Sequence, residues 1–355
     1  MRFDRALLIA GAALSAGACA TLDRPGPGAV VRATAETVAV GTANEDAADD
    51  PVIWTASRPF LFGGQRIDGF VAGTDKKAGL YIYGLDGAVL QFLPDGLLNN
   101  VDYGSLDIGG RPYAILGASD RTPGREGIAL YRFDMNGAGQ FEYWGHIASD
   151  LVEPYGFCMR DVEGVPNAVL IGKDGQVRHF TLAVDAAGAP SATEVRRFAV
   201  GSISEGCTLD VTNRTLFISE ELVGLWRYSL DPARGAERTL VEPANEGRLR
   251  ADVEGVTIIS DIASGSRYLI ASSQGDSGFG VWRLGGRGAT EWVGRFAVHD
   301  GAVDQVTGTD GIDAMGGAVG PYPEGLVVVQ DDVNPGAPQN FKYIDWRDVK
   351  AALGL

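Results

Sequence analysis

Short apolar runs alternate with polar turns along the chain, and six of these runs end abruptly in polar or charged residues. A turn and a second apolar run that carries an aromatic residue follow each of the six. Apolar runs of about four to eight residues bounded by Gly, Asn and Asp are typical of β-strands. The six runs are residues 70–75, 113–120, 169–174, 216–221, 269–276 and 326–332.

The aromatic residues of the second runs mark an internal repeat, because they recur at intervals of 48 to 61 residues. They are Tyr83, Tyr131, Phe180, Tyr228, Trp282 and Tyr343. Four short strands with their turns occupy about 40–50 residues, which is the size of one propeller blade. The pattern therefore predicts an all-β, six-bladed β-propeller with four-stranded antiparallel blades. Residues 30–40 are expected to supply the outer strand of the last blade and so close the ring.

Acidic and amide residues occupy equivalent positions in the six repeats, before the first strand or after the second strand of each unit. Because these two strands are antiparallel, the start of the first and the end of the second lie on the same face of a propeller. We therefore expect the polar residues of all blades to converge on one rim. They are Asp49, Asp50, Asn99, Asn100, Asp102, Glu205, Glu220, Glu221, Asp252, Glu254, Asp276, Asp310, Asp313, Asp331 and Asp332.

The formal net charge of −16 argues against nucleic acid as a partner, because binding a phosphate backbone requires clustered Lys and Arg. Carboxylates gathered on one rim repel each other unless cations lie between them. Oxygen ligands on flexible loops favour calcium over magnesium and zinc. His146, His179 and His299 fall on separate blades without the spacing of zinc ligands. A solvated acidic surface is the alternative, but such a surface would scatter its charges.

Four basic residues stand among these acids at equivalent repeat positions: Lys76, Lys77, Arg121 and Lys173. Any one of them alone would be interpreted as a surface cation. Together they make one half of the rim basic and the other half acidic. This layout suits a polyphosphate that bases bind directly and acids bind through calcium. The sequence contains neither the GxSxG motif of a serine nucleophile nor a phosphate-binding P-loop.

Twelve segments that carry or flank these residues form a series of motifs in order along the chain. They are DAADDPVIW (46–54), GTDKKAGLYIYGLDG (73–87), LNNVDY (98–103), ASDR (118–121), YGFCM (155–159), GKDGQ (172–176), SEGC (204–207), ISEE (218–221), ADVEGVTI (251–258), ASSQGDSGF (271–279), TDGID (309–313) and QNFKY (339–343). In these motifs the sequence closely resembles the β-propeller phytases over about residues 33–350. One such motif would be a weak signal, but a dozen in order are specific.

The resemblance implies a 3-phytase, an enzyme that releases phosphate from phytate (myo-inositol hexakisphosphate). In this family several calcium ions bridge carboxylates and substrate phosphates, and water attacks phosphorus in line without a covalent enzyme intermediate. The implied catalytic residues are Tyr155, Glu205, Glu220, Asp252 and Glu254. The implied phosphate-binding residues are Lys76, Lys77, Asn100, Arg121, Lys173 and Gln274. The implied calcium ligands are Asp50, Glu205, Glu220, Asp252, Glu254 and Asp310.

Two segments depart from the family pattern. Residues 222–224 (Leu-Val-Gly) stand where relatives often carry more acids, and residues 332–333 (Asp-Val) stand where Gly-Glu is usual. A peripheral stabilising calcium is therefore expected to be lost or altered. Two alternatives stay open because fold alone does not fix substrate. One is another calcium-dependent propeller hydrolase, a phosphoesterase or lactonase, and the other is a non-enzymatic propeller that binds an anionic ligand or a protein partner.

The first residues have the composition of an export signal. Arg2 and Arg5 precede an apolar run, residues 6–14, that is too short to span a bilayer. Small residues then lead to Cys19, which resembles a lipoprotein processing site, although Ala16 stands where such sites usually carry Leu. Ordinary signal-peptidase cleavage nearby is the alternative. We expect an exported monomer in the periplasm, on the outer membrane through a lipid anchor, or outside the cell.

These signals divide the chain into three parts: a signal peptide over residues 1–18, a linker over residues 19–32 and the propeller over residues 33–355. Cys158 and Cys207 are then the remaining cysteines besides Cys19. They could pair, but two cysteines in a chain of this length are not a disulfide scaffold. We interpret them as small core residues.

Overall fold

The computed structural model describes residues 24–43 and 46–355, whose long-range strand pairing forms six separate sheets. Five of the sheets contain four consecutive antiparallel strands, and the sixth completes its four with a strand from the N-terminal segment. The sheets follow one another around a central axis. This arrangement confirms the predicted six-bladed β-propeller with four-stranded antiparallel blades.

The N-terminal segment and the first three blades contain the first fourteen strands. Ahead of the blades lie β1 (Ala29–Arg32) and β2 (Ala35–Glu36). Blade 1 contains β3 (Ala48–Phe62), β4 (Gln65–Asp75), β5 (Gly79–Gly84) and β6 (Val89–Leu93). Blade 2 contains β7 (Leu98–Ile108), β8 (Arg111–Asp120), β9 (Gly127–Asp134) and β10 (Glu142–Ala148). Blade 3 contains β11 (Pro154–Val162), β12 (Val165–Gly172), β13 (Gln176–Val184) and β14 (Pro190–Ala199).

The last three blades contain the remaining strands, and one helix follows them. Blade 4 contains β15 (Ser204–Asp210), β16 (Thr215–Glu220), β17 (Gly224–Ser229) and β18 (Arg238–Pro243). Blade 5 contains β19 (Val256–Asp261), β20 (Ser266–Ser273), β21 (Gly278–Leu284) and β22 (Thr290–His299). Blade 6 contains β23 (Ile312–Gly316), β24 (Gly325–Asp331) and β25 (Asn340–Asp345), which the helix α1 (Trp346–Leu353) follows.

The first strand of each blade lines the central axis and contacts the first strands of the two adjacent blades. Because side chains alternate between the two faces of a sheet, each blade packs apolar residues against both neighbours. Buried residues accordingly form six hydrophobic clusters, one in each interface between adjacent blades. Between blades 1 and 2, for example, Phe62 packs against Phe133 and Phe70 packs against Phe141.

The N-terminal segment closes the ring as predicted and also extends a second blade. β2 pairs antiparallel with β25, so it is the outer strand of blade 6. β1 pairs in parallel with β22 and gives blade 5 a fifth strand, which the sequence pattern did not indicate. The segment predicted as a linker, residues 19–32, therefore ends in a strand. The short helix α1 was not predicted either, and Asp345 caps it by accepting a hydrogen bond from the Arg347 amide.

A buried lysine lies at the ring closure between β2, β24 and β25. The Lys342 ammonium contacts the carboxylates of Glu36 and Asp304, and its Nζ lies 3.4 Å from Asp331 Oδ2. We call Glu36, Asp304 and Asp331 the closure cluster. Burial lowers the pKa of Lys342, but its bonds to Asp304 and Glu36 outweigh burial and raise that pKa. Lys342 therefore stays charged and neutralises part of the closure cluster.

Cys158 and Cys207 form a disulfide with a sulfur–sulfur distance of 1.99 Å, which is the pairing that the sequence analysis left open. Both side chains are also buried in the hydrophobic cluster between blades 3 and 4. The bridge joins β11 to β15, the inner strands of adjacent blades. The two cysteines are 49 residues apart, close to one repeat, so they lie at nearly equivalent heights.

The predicted export signal over residues 1–18 and the predicted processing site at Cys19 lie outside the described residues. Within the described residues, no helix has both the length and the apolar composition needed to cross a membrane. The predicted monomer and cellular location stay predictions.

Candidate active site

Glycines at the axial ends of the blades let adjacent blades approach closely at one rim. A Cβ added to Gly156 would lie 2.1 Å from the Glu205 carbonyl oxygen, and one added to Gly206 would lie 2.2 Å from the Glu254 carbonyl oxygen. The same contact recurs at Gly255 against Asp310 and at Gly311 against Asp49. Real Cβ atoms cannot occupy such distances, so only glycine allows these approaches. Since each glycine directly follows a rim residue, the motif brings polar side chains of successive blades together.

Three carboxylates meet on the acidic half of this rim. Glu205 lies at the start of β15, Glu221 directly follows β16, and Glu254 lies in the loop before β19. All three residues are buried, and one carboxylate oxygen from each lies within 4.8 Å of the others. We call these three residues the rim cluster. Glu221 Oε1 and Glu254 Oε2 are buried without a hydrogen-bond partner among the described residues.

Burial and neighbouring negative charges raise the pKa of every carboxyl group in the rim cluster. Burial, and then Asp252, raise the pKa of Glu221 to about 7. Burial and Asp49 raise the pKa of Glu205 well above its usual range, and burial and Glu205 do the same for Glu254. All three carboxyl groups can be ionised at this spacing only if a cation lies near them, because a nearby positive charge lowers the pKa of each.

Lys76 supplies one buried positive charge beside the rim cluster. Its Nζ lies 2.8 Å from Asp46 Oδ1, 3.0 Å from Asp49 Oδ2 and 3.1 Å from Asp310 Oδ2. Burial lowers the pKa of Lys76, but Asp49 and Asp310 outweigh burial and raise that pKa. Burial still raises the pKa of Asp310 to about 7, against the lowering effect of Lys76. One ammonium group therefore serves three carboxylates and leaves the acidic half short of positive charge.

Arg121 and Lys173 lie together on the basic half of the rim, around Glu153. Arg121 Nη1 lies 3.7 Å and Lys173 Nζ lies 3.5 Å from the same carboxylate oxygen, Glu153 Oε1. Lys173 Nζ also lies 5.0 Å from the centroid of the Tyr155 ring. The side chain of Lys173 is 43% exposed, and Lys77 is exposed as well. The two lysines are therefore accessible to a ligand that approaches the rim, whereas the side chain of Arg121 is only 15% exposed.

Three polar side chains hold Glu205 in place. The Tyr155 hydroxyl hydrogen-bonds its carboxylate, and Asn99 Nδ2 donates to Glu205 Oε1 at 2.5 Å. The Asn100 amide, oriented with its nitrogen toward these acceptors, donates to the same oxygen at 3.0 Å and to the Tyr155 carbonyl oxygen at 2.8 Å. These contacts orient the Glu205 carboxylate before any ligand binds.

Glu220, one of the predicted calcium ligands, lies outside the rim cluster. Its carboxylate accepts hydrogen bonds from Ser202 Oγ and Trp226 Nε1, each at 2.7 Å, and lies 3.4 Å from Arg238 Nη1. These donors hold Glu220 in the interface between blades 3 and 4. The structure thus corrects the prediction, because the neighbouring Glu221 lies in the cluster instead.

Strand alternation contains a signal that distinguishes these two neighbouring glutamates. Leu216 and Ile218 on β16 are buried in the hydrophobic cluster between blades 3 and 4. Glu220 follows at the same period of two, so its side chain leaves the sheet on that face. Glu221 comes after the strand has ended and is free of this alternation. The sequence prediction assigned Glu220 rather than Glu221 to the site because it used repeat position alone and not strand alternation.

Asp50 also lies apart from the rim cluster, deeper along the central axis. It lines a small axial cavity with Asn100, Asp102 and Asp313. Its Oδ2 accepts a hydrogen bond from the Val101 amide at 3.1 Å. Burial raises the pKa of Asp50 well above its usual range, and Asp49 adds to the effect. Asp50 therefore lies near the central axis, separate from the three clustered glutamates.

Gln274 links the two remaining predicted acids. Its backbone amide donates to the Asp252 carbonyl oxygen at 2.9 Å, and its side-chain amide donates to Asp310. Asp252 is half-buried, and burial raises its pKa. The backbone carbonyl oxygen of Asp310 accepts from the amide of Gly255 at 2.8 Å, which places it beside the loop that carries Glu254. Both acids therefore flank the rim cluster, although neither is among its three members.

Sequence reasoning left Asp49, Asn99 and Glu153 out of the functional set, and the structure places all three at the rim. Asp49 contacts Lys76, Asn99 contacts Glu205, and Glu153 lies between Arg121 and Lys173. Asp49 and Asn99 stood at the repeat positions of the rim. Glu153 directly precedes β11, two residues before Tyr155, and Asp252 holds the equivalent position before Glu254, so the repeat did carry a signal for it.

The assembled rim therefore combines buried carboxylates that lack positive charge with partly exposed bases on the opposite half. Comparison with known proteins adds to this geometry. A family model described as phytase matches residues 6–355 of the chain. A 3-phytase of Bacillus subtilis (strain 168) is 33% identical over 323 residues, which cover 87% of this chain and 82% of that protein. The family match includes all six blades.

Proposed function

We propose that this chain, which belongs to the phytase family, is a calcium-dependent 3-phytase that releases phosphate from phytate. Family membership and the similarity to the Bacillus subtilis 3-phytase support the hydrolase activity and the substrate. The observation that carries the calcium requirement is the rim cluster, with its two unpartnered buried oxygens.

The donor atoms of the rim cluster suit a hard divalent cation. Carboxylate oxygens are the ligands that calcium prefers, and no His or Cys accompanies the three glutamates in the described cluster. Glu205, Glu221 and Glu254 would hold calcium, with Asp252 and Asp310 beside them. Bound calcium would supply positive charge for the substrate phosphates and lower the pKa of a water molecule. These assignments replace Glu220 by Glu221 and otherwise keep the predicted acids of the rim.

Arg121 and Lys173 would bind a substrate phosphate directly. Glu153, their shared partner, has a 44% exposed side chain, and exposed ion pairs contribute little stability. A phosphate group can therefore compete with Glu153 for both bases. Lys77 and Asn100 would contribute from the adjacent positions.

Lys76 and Glu205 have different roles in this proposal. Lys76 would add positive charge to the phosphate site while it keeps Asp49 and Asp310 in place. Glu205, held by Tyr155 and Asn99, would orient the attacking water and accept its proton. No side chain in this arrangement needs to form a covalent intermediate with the phosphoryl group.

The deciding experiment measures phosphate release from phytate with added calcium and with a chelator. We expect release only with calcium, and loss of release in the Glu205→Gln variant with an unchanged circular dichroism spectrum. Arg111→Gln is the matched control, since Arg111 forms an exposed ion pair with Asp134 at 3.1 Å away from the rim. Equal rates with calcium and chelator, or hydrolysis of a lactone without release from phytate, would overturn the proposal.

We also propose that the chain is exported, with residues 1–18 removed. The predicted linker then begins at residue 19 and ends where β1 (Ala29–Arg32) joins the phytase propeller. The Cys158–Cys207 bridge supports an oxidising compartment, where disulfides persist. The intact mass of protein expressed in a Gram-negative host tests this. A mass that begins at Cys19 with an added lipid supports the lipid anchor, a lipid-free mature mass supports ordinary cleavage, and the unprocessed mass contradicts export.

A further inference from the structure

A pocket of about 470 Å³ lies between blades 4 and 5 on the face opposite the rim cluster. Its walls come from the β15–β16 turn, the β17–β18 connection and the β21–β22 connection. Because β15 begins at the rim, the turn that ends it lies at the far end of the blade. The two later connections lie at the same end, since successive strands of a blade are antiparallel. The pocket is therefore separate from the active site.

Five arginines and a single glutamate line this pocket, in a protein whose formal net charge is −16. They are Arg214, Arg227, Arg234, Arg238, Arg287 and Glu237. Four of these arginines belong to blade 4 and one to blade 5, so tertiary packing brings them together. Like charges gathered in this way favour an anion between them.

Two of the five guanidinium groups have partners outside the lining of the pocket. Arg214 Nη1 lies 2.7 Å from Glu163 Oε1 of the adjacent blade. Arg238 Nη1 donates to the Val200 carbonyl oxygen at 2.6 Å, and its guanidinium stacks on the Trp226 ring at 3.7 Å. Arg238 is held by these contacts, whereas the Arg214–Glu163 pair is exposed and therefore weak.

The other three guanidinium groups are available for a ligand. Arg227 donates to the carbonyl oxygen of Gly288, and neither Arg227 nor Arg287 has a carboxylate within ion-pair distance among the described residues. Arg234 Nη1 lies 3.4 Å from Glu237 Oε2, and both side chains of this pair are more than half exposed. Exposed pairs of this kind are weak, so an anion can replace Glu237.

We propose that this pocket binds the phosphate groups of a polyanion, which is either a free inositol phosphate or a phosphorylated lipid headgroup. The planar fork of arginine matches phosphate oxygens in a bidentate geometry, and three such groups can serve more than one phosphate. With Glu237 as the single carboxylate in its lining, the pocket needs no calcium to bind an anion. Most other arginines of the described chain pair with carboxylates, as Arg132 does with Glu142 at 2.7 Å.

Calorimetric titration of the full mature protein with myo-inositol hexakisphosphate in a chelator tests the proposal. In the Arg227→Gln, Arg287→Gln double variant, the affinity of one binding event is expected to fall about a hundredfold. Its calcium-dependent phosphate release should equal that of the wild type. The single variant Arg287→Gln should bind with about tenfold lower affinity. Because residue 287 is exposed, this substitution should not disturb folding. Arg283→Gln, whose exposed arginine lies 3.7 Å from Glu291, is the control with unchanged binding.

Vesicles of phosphatidylcholine with and without phosphatidic acid distinguish the two sources of phosphate. Titration by free inositol hexakisphosphate alone identifies a soluble ligand, and sedimentation with phosphatidic acid vesicles alone identifies a lipid headgroup. Either result supports the pocket when the double variant loses it. Equal binding by the wild type and the double variant, or binding in neither arm, overturns the proposal.

Discussion

The rim cluster and the closure cluster each bring three carboxylates together in the interior of the propeller, yet only one of them contains a cation from the protein itself. In the closure cluster the fully buried ammonium of Lys342 contacts or approaches all three carboxylates. In the rim cluster, Lys76 lies nearby but pairs with the neighbouring aspartates. Each cluster keeps two buried carboxylate oxygens without a hydrogen-bond partner among the described residues, so the clusters differ in the ammonium group that lies among the carboxylates of the closure cluster alone.

This difference separates a structural cluster from a binding cluster. A buried carboxylate is costly unless it is paired, and Lys342 provides that pairing permanently at the ring closure. In the rim cluster, a cation from solution would have to pair with the carboxylates. Burial raises the pKa of one carboxyl group in each cluster to about 7, Glu221 at the rim and Asp331 at the ring closure. The presence of an internal cation, rather than acidity, thus distinguishes the two sites.

The largest expected effect comes from removing the internal cation. We expect Lys342→Met to lower the free energy of unfolding by about 3–5 kcal/mol, because it leaves buried carboxylates without a positive charge. Urea unfolding monitored by tryptophan fluorescence measures this change. Added calcium should restore part of the loss, since the closure cluster would then resemble the rim cluster. Arg111→Gln, at an exposed ion pair, should change stability by less than about 1 kcal/mol. A stable Lys342→Met variant would show that Lys342 does not neutralise the closure cluster.

The disulfide tests how firmly the strands of the rim are held together. Replacing both Cys158 and Cys207 by Ser opens a loop of 49 residues and is expected to reduce the unfolding free energy by up to about 4 kcal/mol. Chemical denaturation with and without a reducing agent measures the change. The bridged strands also carry Tyr155 and Glu205, so the rate of phosphate release should fall as well. If stability falls while the rate is unchanged, the bridge supports the fold without positioning the rim.

Two neighbouring glutamates allow a matched test of the rim cluster. Glu221→Gln is expected to reduce phosphate release from phytate by at least about a hundredfold, because it removes a charge from the cation site. Glu220→Gln should keep most of the rate, since Glu220 contacts Ser202 and Trp226 in the blade interface. Calcium-dependent rates of the two variants at equal protein concentration decide the matter. A larger loss in Glu220→Gln would restore the assignment made from repeat position.

The smallest expected effect is the pH dependence of stability without calcium. The pKa of Glu221 is raised to about 7, so the folded chain binds more protons than the unfolded chain between about pH 4.5 and pH 7. The calcium-free protein should therefore lose stability as the pH rises through this window. Bound calcium should remove the part of this loss that arises at the rim. Thermal unfolding at several pH values, with calcium and with a chelator, measures the difference, and identical profiles would contradict a cation site at Glu221.

Much of the architecture could be predicted because a repeat encodes it locally. The spacing of Tyr83, Tyr131 and their counterparts indicated six blades, and the polar residues at the strand ends indicated one functional rim. The fifth strand of blade 5 could not be predicted, because blade 5 already contains four strands and the repeat gives no position for the added β1. Short segments of this kind gain their conformation from the edge that they extend rather than from their own periodicity.

The sequence by itself determined the ring, the number of blades and the convergence of acids and bases on one face, since these follow from periodicity and from the antiparallel order of strands. Strand alternation distinguishes Glu220 from Glu221, but only the tertiary structure showed where β16 stops and therefore which of the two joins the rim cluster. It also decided that Lys342 meets Glu36 across 306 residues of chain. Contacts over such distances depend on how the blades pack, and local sequence patterns do not carry that information.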